Sequence, residues 1–215
     1  MKWTEAKVRF GTVLLLWAMV MLNGCDSPHE QVLVTDFDIF REGDLVLRCG
    51  CGMESKAVTQ ASKSAYSHIG LLHKDEQSGH WMVVHAVPGE AKQEEPEWLK
   101  CEEIGEFFAF DRAIRGAWMR VDCPDSIAAK AADYALEKVR QKVEFDNDYA
   151  ISDTSQLYCT ELVWRAYLQQ GIDLSNKQRH DVPTFFSTDG ECIYPSDIQN
   201  SNIILFVKPF KSKQL

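Results

Sequence analysis

The segment Leu157-Tyr158-Cys159-Thr160-Glu161-Leu162-Val163-Trp164 decides the fold, because here a polar loop passes into a strongly amphipathic helix. The apolar side chains recur at helical spacing, and Gly171 supplies the stop; they are Cys159, Leu162, Val163, Ala166 and Tyr167. Such a stripe must pack on a neighbouring element. A thiol at a helix N-terminus lies among unpaired N–H groups, which favour the thiolate. Cys159 is therefore a candidate nucleophile.

Strand and helix patterns surround this segment in mixed order. The predicted strands cover 45–47, 68–72, 81–85, 107–110, 118–121 and 203–207, and the predicted helices cover 54–63 and 124–142. A basic turn is expected around Arg112 and Arg115, and substrate-lining loops are expected over 90–106 and 143–156. Because strands and helices do not alternate, we expect an α+β domain with a mostly antiparallel sheet packed against the helix that carries the cysteine.

Composition places the chain among globular proteins. Its 215 residues are 45% hydrophobic and 26% charged, with a formal net charge of −9. Removal of residues 1–24 would take away three positive charges and one negative charge, which leaves about −11. A domain this acidic lacks the basic patches that nucleic-acid binding requires. We therefore expect no nucleic-acid partner.

The N-terminus has the pattern of a secretory signal peptide. A basic start precedes an unbroken apolar run of ten residues, 13–22. That run is too short for a spanning helix, which needs about 20 residues. Leu22-Asn23-Gly24-Cys25 resembles a bacterial lipobox, although Asn23 departs from the usual small or β-branched residue. An ordinary signal peptide and an uncleaved anchor remain as alternatives.

The lipobox resemblance implies a domain organisation and a cellular location. It implies a lipoprotein signal peptide over 1–24, lipid attachment at Cys25, a tether over 25–36 and a domain over 37–215. Asp26, directly after the cysteine, is similar to an inner-membrane retention signal. The expected location is the periplasmic face of the bacterial cell envelope, lipid-anchored to the inner membrane.

The seven cysteines lie at 25, 49, 51, 101, 123, 159 and 192. If Cys25 carries lipid and Cys159 stays free, at most four of the other five can pair, and the sequence does not give their connectivity. Cys49-Gly50-Cys51 is weak evidence for a metal because no second ligand pair follows at a known spacing. We expect neither a metal nor a cofactor.

Two histidines lie on the predicted hairpin. If it closes symmetrically about Glu76 and Gln77, Leu72 pairs with Trp81 and His68 falls opposite His85. Directly opposed residues have Cβ atoms roughly 4.5–5.5 Å apart, which suits a base and the group that orients it. A lone cysteine on an apolar helix face is more often a small buried hydrophobe, and a strand histidine is often structural. His29, His73, His80 and His180 are expected to be solvated loop residues.

Five short motifs together resemble the permuted papain-like NlpC superfamily, especially its YiiX-like branch. In chain order they are Gly43-Asp44-Leu45-Val46, Tyr66-Ser67-His68-Ile69-Gly70-Leu71, Val84-His85-Ala86-Val87, Tyr158-Cys159-Thr160-Glu161-Leu162-Val163 and Tyr194-Pro195-Ser196-Asp197-Ile198. The histidines precede the cysteine, which is the order of the circularly permuted group. The resemblance implies a circularly permuted papain-like fold.

The resemblance also implies roles for three residues. Cys159 corresponds to the nucleophile, His68 to the general base and His85 to the third, polar position, where the YiiX-like branch often has glutamate. Tyr66 and Tyr158 either line the site or are ordinary aromatics, and Glu161 is expected to be a structural hydrogen-bonding group.

Three functions are compatible with these residues. The first is a membrane-anchored periplasmic thiol hydrolase that cleaves an amide, in a cell-wall peptide or another small molecule, through a thioester. The second is a lipid-directed acyl hydrolase or acyltransferase on the same fold. The third is a non-catalytic periplasmic binding lipoprotein. Both enzymes need a small-molecule, peptide or lipid substrate with a scissile carbonyl, and we expect an enzyme because all three catalytic positions hold competent residue types.

Overall fold

A six-stranded antiparallel sheet forms the centre of the protein. The computed structural model describes residues 30–35, 37–90, 95–184, 186–187 and 189–214. The strands of the sheet are β2 (Leu45–Gly50), β3 (His68–Lys74), β4 (Trp81–His85), β5 (Lys100–Glu103), β6 (Ala113–Val121) and β9 (Ile204–Pro209). Their spatial order is β5-β4-β3-β2-β6-β9. The predicted α+β class with an antiparallel sheet is confirmed.

The helices and the two short ribbons lie around this sheet. The helices are α1 (Met53–Ser62), α2 (Ile104–Phe107), α3 (Asp125–Arg140), α4 (Cys159–Leu168) and α5 (Pro195–Gln199), with a 3-10 turn at Phe37–Ile39. The ribbons pair β1 (Glu30–Leu33) with β10 (Lys211–Gln214), and β7 (His180–Asp181) with β8 (Glu191–Cys192). The helices predicted over 54–63 and 124–142 are confirmed to within a few residues.

The sheet is buried on both faces. On one face α4, which we call the cysteine helix, packs its apolar stripe; Leu162, Val163, Ala166 and Tyr167 are fully buried against Leu45, Leu47, Ile69 and Leu71. The opposite face is covered by an aromatic cluster that includes Phe40, Trp81, Phe107, Phe108 and Trp118. All six residues of β2 are therefore buried. A strand that is covered on both faces has a nearly continuous run of apolar residues instead of alternating apolar and polar residues.

The hairpin of β3 and β4 closes in a different register from the predicted one. Lys74 pairs with Trp81 and Gly70 pairs with His85, so the assumed pairing of Leu72 with Trp81 and of His68 with His85 is wrong by two residues. The reason is that β3 continues to Lys74, and the turn then uses Asp75, whose carboxylate accepts hydrogen bonds from Ser78. Because side chains alternate with a period of two, a shift of two residues leaves both histidines on one face.

Gly70 makes room for the side chains on β4. A Cβ atom at this position would lie 2.5 Å from Cγ1 of Val83 and 3.1 Å from Cβ of His85. Contacts this short force a neighbour to move. The glycine two residues after His68 therefore lets β4 approach closely and bring His85 beside it.

Three parts of the sequence prediction are corrected by the fold. Residues 107–110 form the end of helix α2 and a turn instead of a strand, because a short apolar run has no period that separates the two. Arg115 lies within β6 instead of a turn. The predicted loop over 90–106 contains β5, an edge strand that exists through its pairing with β4, since its charged sequence shows no strand pattern.

The N-terminal predictions lie largely outside the described residues. The signal peptide over 1–24, Cys25 and Asp26 all fall before residue 30. Of the predicted tether over 25–36, residues 30–33 form β1, and Val32 is buried in the aromatic cluster. This part of the tether is attached to the domain by pairing with β10. Within the described ranges, no helix has the length and apolar character needed to cross a membrane.

Substitution of Gly70 by alanine tests the close approach of β4. We expect Gly70→Ala to lower the free energy of unfolding by about 1–3 kcal/mol, since the new methyl group overlaps Val83. Gly105→Ala is the matched control: nothing lies within 4 Å of its Cβ position, and alanine in a helix is favoured over glycine by roughly 0.5–1 kcal/mol. Urea denaturation measures both changes. Equal stability of Gly70→Ala and the wild type would contradict the prediction.

Candidate active site

Cys159 is the first residue of the cysteine helix and is only 5% exposed. Its Sγ lies 3.7 Å from Oγ1 of Thr160, and the backbone of Ile69 on β3 also interacts with the sulfur. Burial raises the pKa of the thiol to about 11, although the contacts with Thr160 and Ile69 lower it in part. The expectation of a thiolate is therefore wrong for this resting state, because loss of water around the sulfur outweighs the helix N-terminus.

His68 is the first residue of β3 and directly precedes Ile69. Its side chain lines the same cleft as Cys159. Burial lowers the pKa of His68 well below 6.5, and the charges of Arg48 and His85 lower it further. The imidazole is neutral at neutral pH and is therefore able to accept a proton.

His85 is the last residue of β4 and is 1% exposed. Its Nε2 lies 3.1 Å from Oε1 of Glu102 on β5, and its ring packs edge-on against Phe107 with centroids 4.9 Å apart. Burial lowers the pKa of His85, the hydrogen bond to Glu102 opposes this effect, and the charge of Arg48 adds to it. His85 is thus a neutral, buried ring.

The structure brings the three predicted residues into one region without joining them by hydrogen bonds. Among the described residues, Nδ1 of His68 and Nδ1 of His85 are buried without a hydrogen-bond partner. Since Gly70 opposes His85, His68 lies on the diagonal from His85 and not directly opposite. Buried polar atoms are normally paired, so both imidazoles keep a nitrogen that is available for a further hydrogen bond.

A network of charges beside the histidines was not predicted from the sequence. Arg48 pairs with His68 across β2 and β3 and is 1% exposed. Its guanidinium donates to the carbonyl of Phe107 and to Oε1 of Glu90, both at 2.8 Å. Arg48 lies within a strand, and no local sequence pattern indicates that its side chain belongs to the site. Only the pairing of β2 with β3 puts its charge beside the imidazoles.

The cleft around His68 has two differently lined sides. The side that contains Cys159 is mainly apolar and aromatic, with Val58, Tyr149, Tyr158, Pro183, Phe186 and Ile193. The other side carries charge, with Arg48, Glu54, Glu90, Asp111 and Arg112. The hydroxyl of Tyr149 donates to Glu54 and so links the two sides. Burial and the charge of Glu97 raise the pKa of Glu54 to about 7.

The secondary candidates near Cys159 have structural partners. The hydroxyl of Tyr158 accepts a hydrogen bond of 2.8 Å from the N–H of Ile193, and its ring lines the cleft. Tyr66 is buried in the main core. Glu161 is fully buried and accepts a hydrogen bond of 2.7 Å from Nε of Arg165, which agrees with the expected structural role.

The remaining described histidines each pair with a carboxylate. His73 lies 2.7 Å from Glu42, and His80 lies 2.9 Å from Glu103. Nε2 of His180 lies 3.0 Å from Asp197, which also accepts the backbone N–H of Tyr194. His73 and His180 are thus not simply solvated loop residues, as the sequence suggested; His29 is outside the described residues.

None of the described cysteines forms a disulfide. All six in the described ranges are free thiols, at 49, 51, 101, 123, 159 and 192. In the same ranges, no group of three or more histidine, cysteine and acidic side chains is placed to hold a metal ion.

Comparisons with known proteins place the chain in a family. A family model described as permuted papain-like amidase enzyme, YaeF/YiiX, C92 family, matches residues 40–192, which include His68, His85 and Cys159. A comparison with curated proteins found no match.

Among solved structures, the chain is similar to the metalloprotein yiiX from Escherichia coli O157:H7. The TM-score is 0.64 at 16% identity, over 80% of this chain and 97% of that chain. At this identity the likeness shows the fold alone, which is the permuted papain-like fold expected from the order of the motifs. Because the family model spans most of the chain, this protein belongs to the permuted papain-like amidase family C92, the YaeF/YiiX family.

Proposed function

We propose that this protein is a membrane-anchored cysteine amidase that hydrolyses an amide through a thioester. Cys159 is the nucleophile, His68 is the general base and His85 orients His68. The single observation that carries this proposal is the position of Cys159, whose sulfur lies beside the backbone of Ile69 in a cleft shared with His68. Membership of an amidase family supports the reaction type.

The proposed reaction has two halves. In the first, the thiol proton passes to His68 while the sulfur attacks the carbonyl carbon; the C–S bond forms and the carbonyl oxygen takes the negative charge. The C–N bond then breaks, and His68 gives its proton to the leaving amine. In the second half, His68 takes a proton from water, the new C–O bond forms, and the C–S bond breaks. The proton returns to the sulfur.

The start of the cysteine helix is suited to stabilise the negative charge on the carbonyl oxygen, which forms an oxyanion. Tyr158, at the N-cap position, makes no capping hydrogen bond with its side chain. The first backbone N–H groups of a helix lack intrahelical acceptors, and the N–H of Cys159 is one of them. Donors fixed in this way stabilise the charge that develops on the carbonyl oxygen.

Burial sets the protonation state from which the reaction begins. It raises the pKa of Cys159 to about 11 and lowers the pKa of His68 well below 6.5. A thiolate beside an imidazolium is therefore disfavoured in this buried site. We infer that the thiol proton moves to His68 together with the attack on the carbonyl, when the substrate supplies the atom that takes up the charge.

The two sides of the cleft suggest the polarity of the substrate. The apolar side beside Cys159 suits a hydrocarbon or aromatic group next to the scissile carbonyl, and the side with Arg48, Glu54 and Glu90 suits a charged or polar group. Candidates are small amides with an apolar part and a charged part, including cell-wall peptides. Parallel assays of cell-wall peptides, N-acyl amino acids, lipid amides and lipid esters separate amide hydrolysis from lipid-directed acyl transfer.

The proposed cellular location rests on the N-terminal sequence. An apolar run of ten residues followed by Leu22-Asn23-Gly24-Cys25 supports cleavage before Cys25 and lipid attachment to it. Asp26 supports retention at the inner membrane, on the periplasmic face. Mass spectrometry of the mature N-terminus from membranes tests this proposal; an unmodified Cys25 or an intact residue 1 would contradict it.

A non-catalytic binding protein is the competing function. It predicts a buried or disulfide-bonded Cys159; the residue forms no disulfide and is only 5% exposed. An enzyme requires in addition that substrate reach the sulfur. The loop residue Tyr149 lines the cleft and donates a hydrogen bond to Glu54, so a displacement of Tyr149 would widen the space around Cys159.

Removal of the sulfur tests the catalytic assignment. We expect Cys159→Ala to lower amide hydrolysis at least roughly 10³-fold, because the covalent intermediate can no longer form. Cys123→Ala, which removes a partly buried thiol at the end of β6, is the control and should keep activity close to that of the wild type. The assay uses whichever amide is hydrolysed in the substrate comparison. Turnover by Cys159→Ala equal to that of the wild type would exclude the proposed mechanism.

The pH dependence of alkylation tests the resting protonation state. Below the pKa of a thiol, its thiolate fraction rises about tenfold per pH unit. Since the pKa of Cys159 is about 11, labelling by iodoacetamide should be slow at neutral pH and should still be rising at pH 9. Peptide mass spectrometry measures the rate, with the partly exposed Cys51 as internal reference. A fast rate that is constant between pH 6 and 8 would contradict the prediction.

A further inference from the structure

The carboxylate of Glu102, on the neighbouring strand β5, contacts His85. Glu102 lies on β5, two residues along from the partner of His85 in the β4–β5 register, so its side chain is on the same face as the imidazole. Oε1 of Glu102 is 3.1 Å from Nε2 of His85, and the two side chains are 17% and 1% exposed. This is a partly buried pair in which hydrogen bonding is protected from water.

The surroundings keep Glu102 ionised. Burial raises its pKa, but the hydrogen bond from His85 and the cations Arg112 and Lys100 outweigh burial and lower the pKa below its usual range. Nη1 of Arg112 lies 3.1 Å from Oε2 of Glu102 and provides the nearest permanent positive charge. An ionised carboxylate accepts hydrogen bonds and donates none. In the pair with Glu102, Nε2 of His85 must therefore carry the hydrogen.

The hydrogen on Nε2 determines what the other nitrogen of His85 can do. In a neutral imidazole only one nitrogen carries hydrogen, so Nδ1 of His85 holds a lone pair and is an acceptor. This Nδ1 is buried and has no hydrogen-bond partner among the described residues. Nδ1 of His68 is also buried and unpaired. The two rings are not hydrogen-bonded to each other in this structure, and His68 lies diagonally from His85. When the rings approach, the lone pair on Nδ1 of His85 accepts an N–H of His68, which leaves the second nitrogen of His68 as the acceptor for the thiol.

We propose that Glu102 is a positioning residue of the active site, which fixes the Nε2–H tautomer of His85 and thereby the orientation and tautomer of His68. The order of groups is Cys159, His68, His85 and Glu102. Glu102 touches neither the substrate nor the sulfur and acts only through His85. This inference deepens the proposed function and rests on it.

Two variants of Glu102 separate positioning from a structural ion pair. We expect Glu102→Gln, which keeps the shape but can donate as well as accept a hydrogen bond and so no longer forces the hydrogen onto Nε2 of His85, to lower kcat about 10–100-fold with little change in KM, as mutation of a supporting hydrogen-bond partner does. In Glu102→Ala, which removes the acceptor, the ¹⁵N shifts of His85 should lose the pattern of a fixed Nε2–H tautomer. A structural role would change stability without changing the tautomer.

The chain offers a matched control close to the same pair, with Glu103 on β5 and His80 directly before β4. Glu103 lies next to Glu102, and its carboxylate bonds Nδ1 of His80 at 2.9 Å, but this pair is exposed to solvent, at 57% and 60%. Glu103→Gln should leave kcat, KM and the shifts of His85 unchanged. Thermal unfolding of all three variants reports whether each remains folded; if Glu102→Ala does not fold, kcat of Glu102→Gln decides.

The outcomes distinguish failure of this inference from failure of the proposed function. If Cys159→Ala abolishes hydrolysis but Glu102→Gln matches Glu103→Gln in kcat, the role of Glu102 is refuted alone. An unchanged His85 tautomer in folded Glu102→Ala refutes it too, even where activity falls. If Cys159→Ala keeps its activity, the proposed function fails, and the ¹⁵N shifts still decide whether Glu102 sets the tautomer of His85.

Discussion

The packing of the cysteine helix on the central sheet is the contact on which the site depends. Leu162, Val163 and Ala166 are fully buried against β2 and β3, and this burial leaves the first turn of the helix little freedom to move. As a result the sulfur of Cys159 lies beside the backbone of Ile69, one residue from His68. A loosely packed helix would not hold a thiol and an imidazole in one cleft.

The same burial determines the chemistry of the resting site. Water is excluded from Cys159 and from both imidazoles, so each group is more stable in its neutral form. The helix N-terminus opposes this effect at the sulfur but does not exceed it. A cysteine in such surroundings is kept as a thiol, which protects it from oxidation, since the thiolate is the reactive form.

The charges around the histidines come from strand pairing. Arg48 on β2, Glu102 on β5 and Arg112 before β6 are distant in sequence and meet only because the sheet sets β2 and β5 on either side of the histidine hairpin. In the YiiX-like branch, which the sequence resembles, the position of His85 often holds glutamate. Here a histidine occupies that position, and a carboxylate reaches it from the neighbouring strand. The polar support of the site is thus distributed over several strands.

The sequence by itself determined the fold class, the hairpin and the cysteine helix. It did so because periodicity is a local property: a stripe of apolar residues at helical spacing predicts a buried helix face, and β-rich runs around a polar turn predict a hairpin. The order of five motifs identified the permuted family, and the three candidate residues were selected from those motifs. Their catalytic roles stay predictions that the variants described above test.

Only the tertiary structure decided the register of the hairpin, the strand character of β5 and the protonation of the site. Register depends on how the turn uses Asp75 and Ser78, and a sequence shows the polar stretch without the pairing. Lys100–Glu103 becomes a strand because β4 offers it a partner, so Glu102 carries no local signal of its position. Cys159 is buried by many side chains that are distant in sequence. Its raised pKa therefore follows from the tertiary structure and could not be predicted from the sequence.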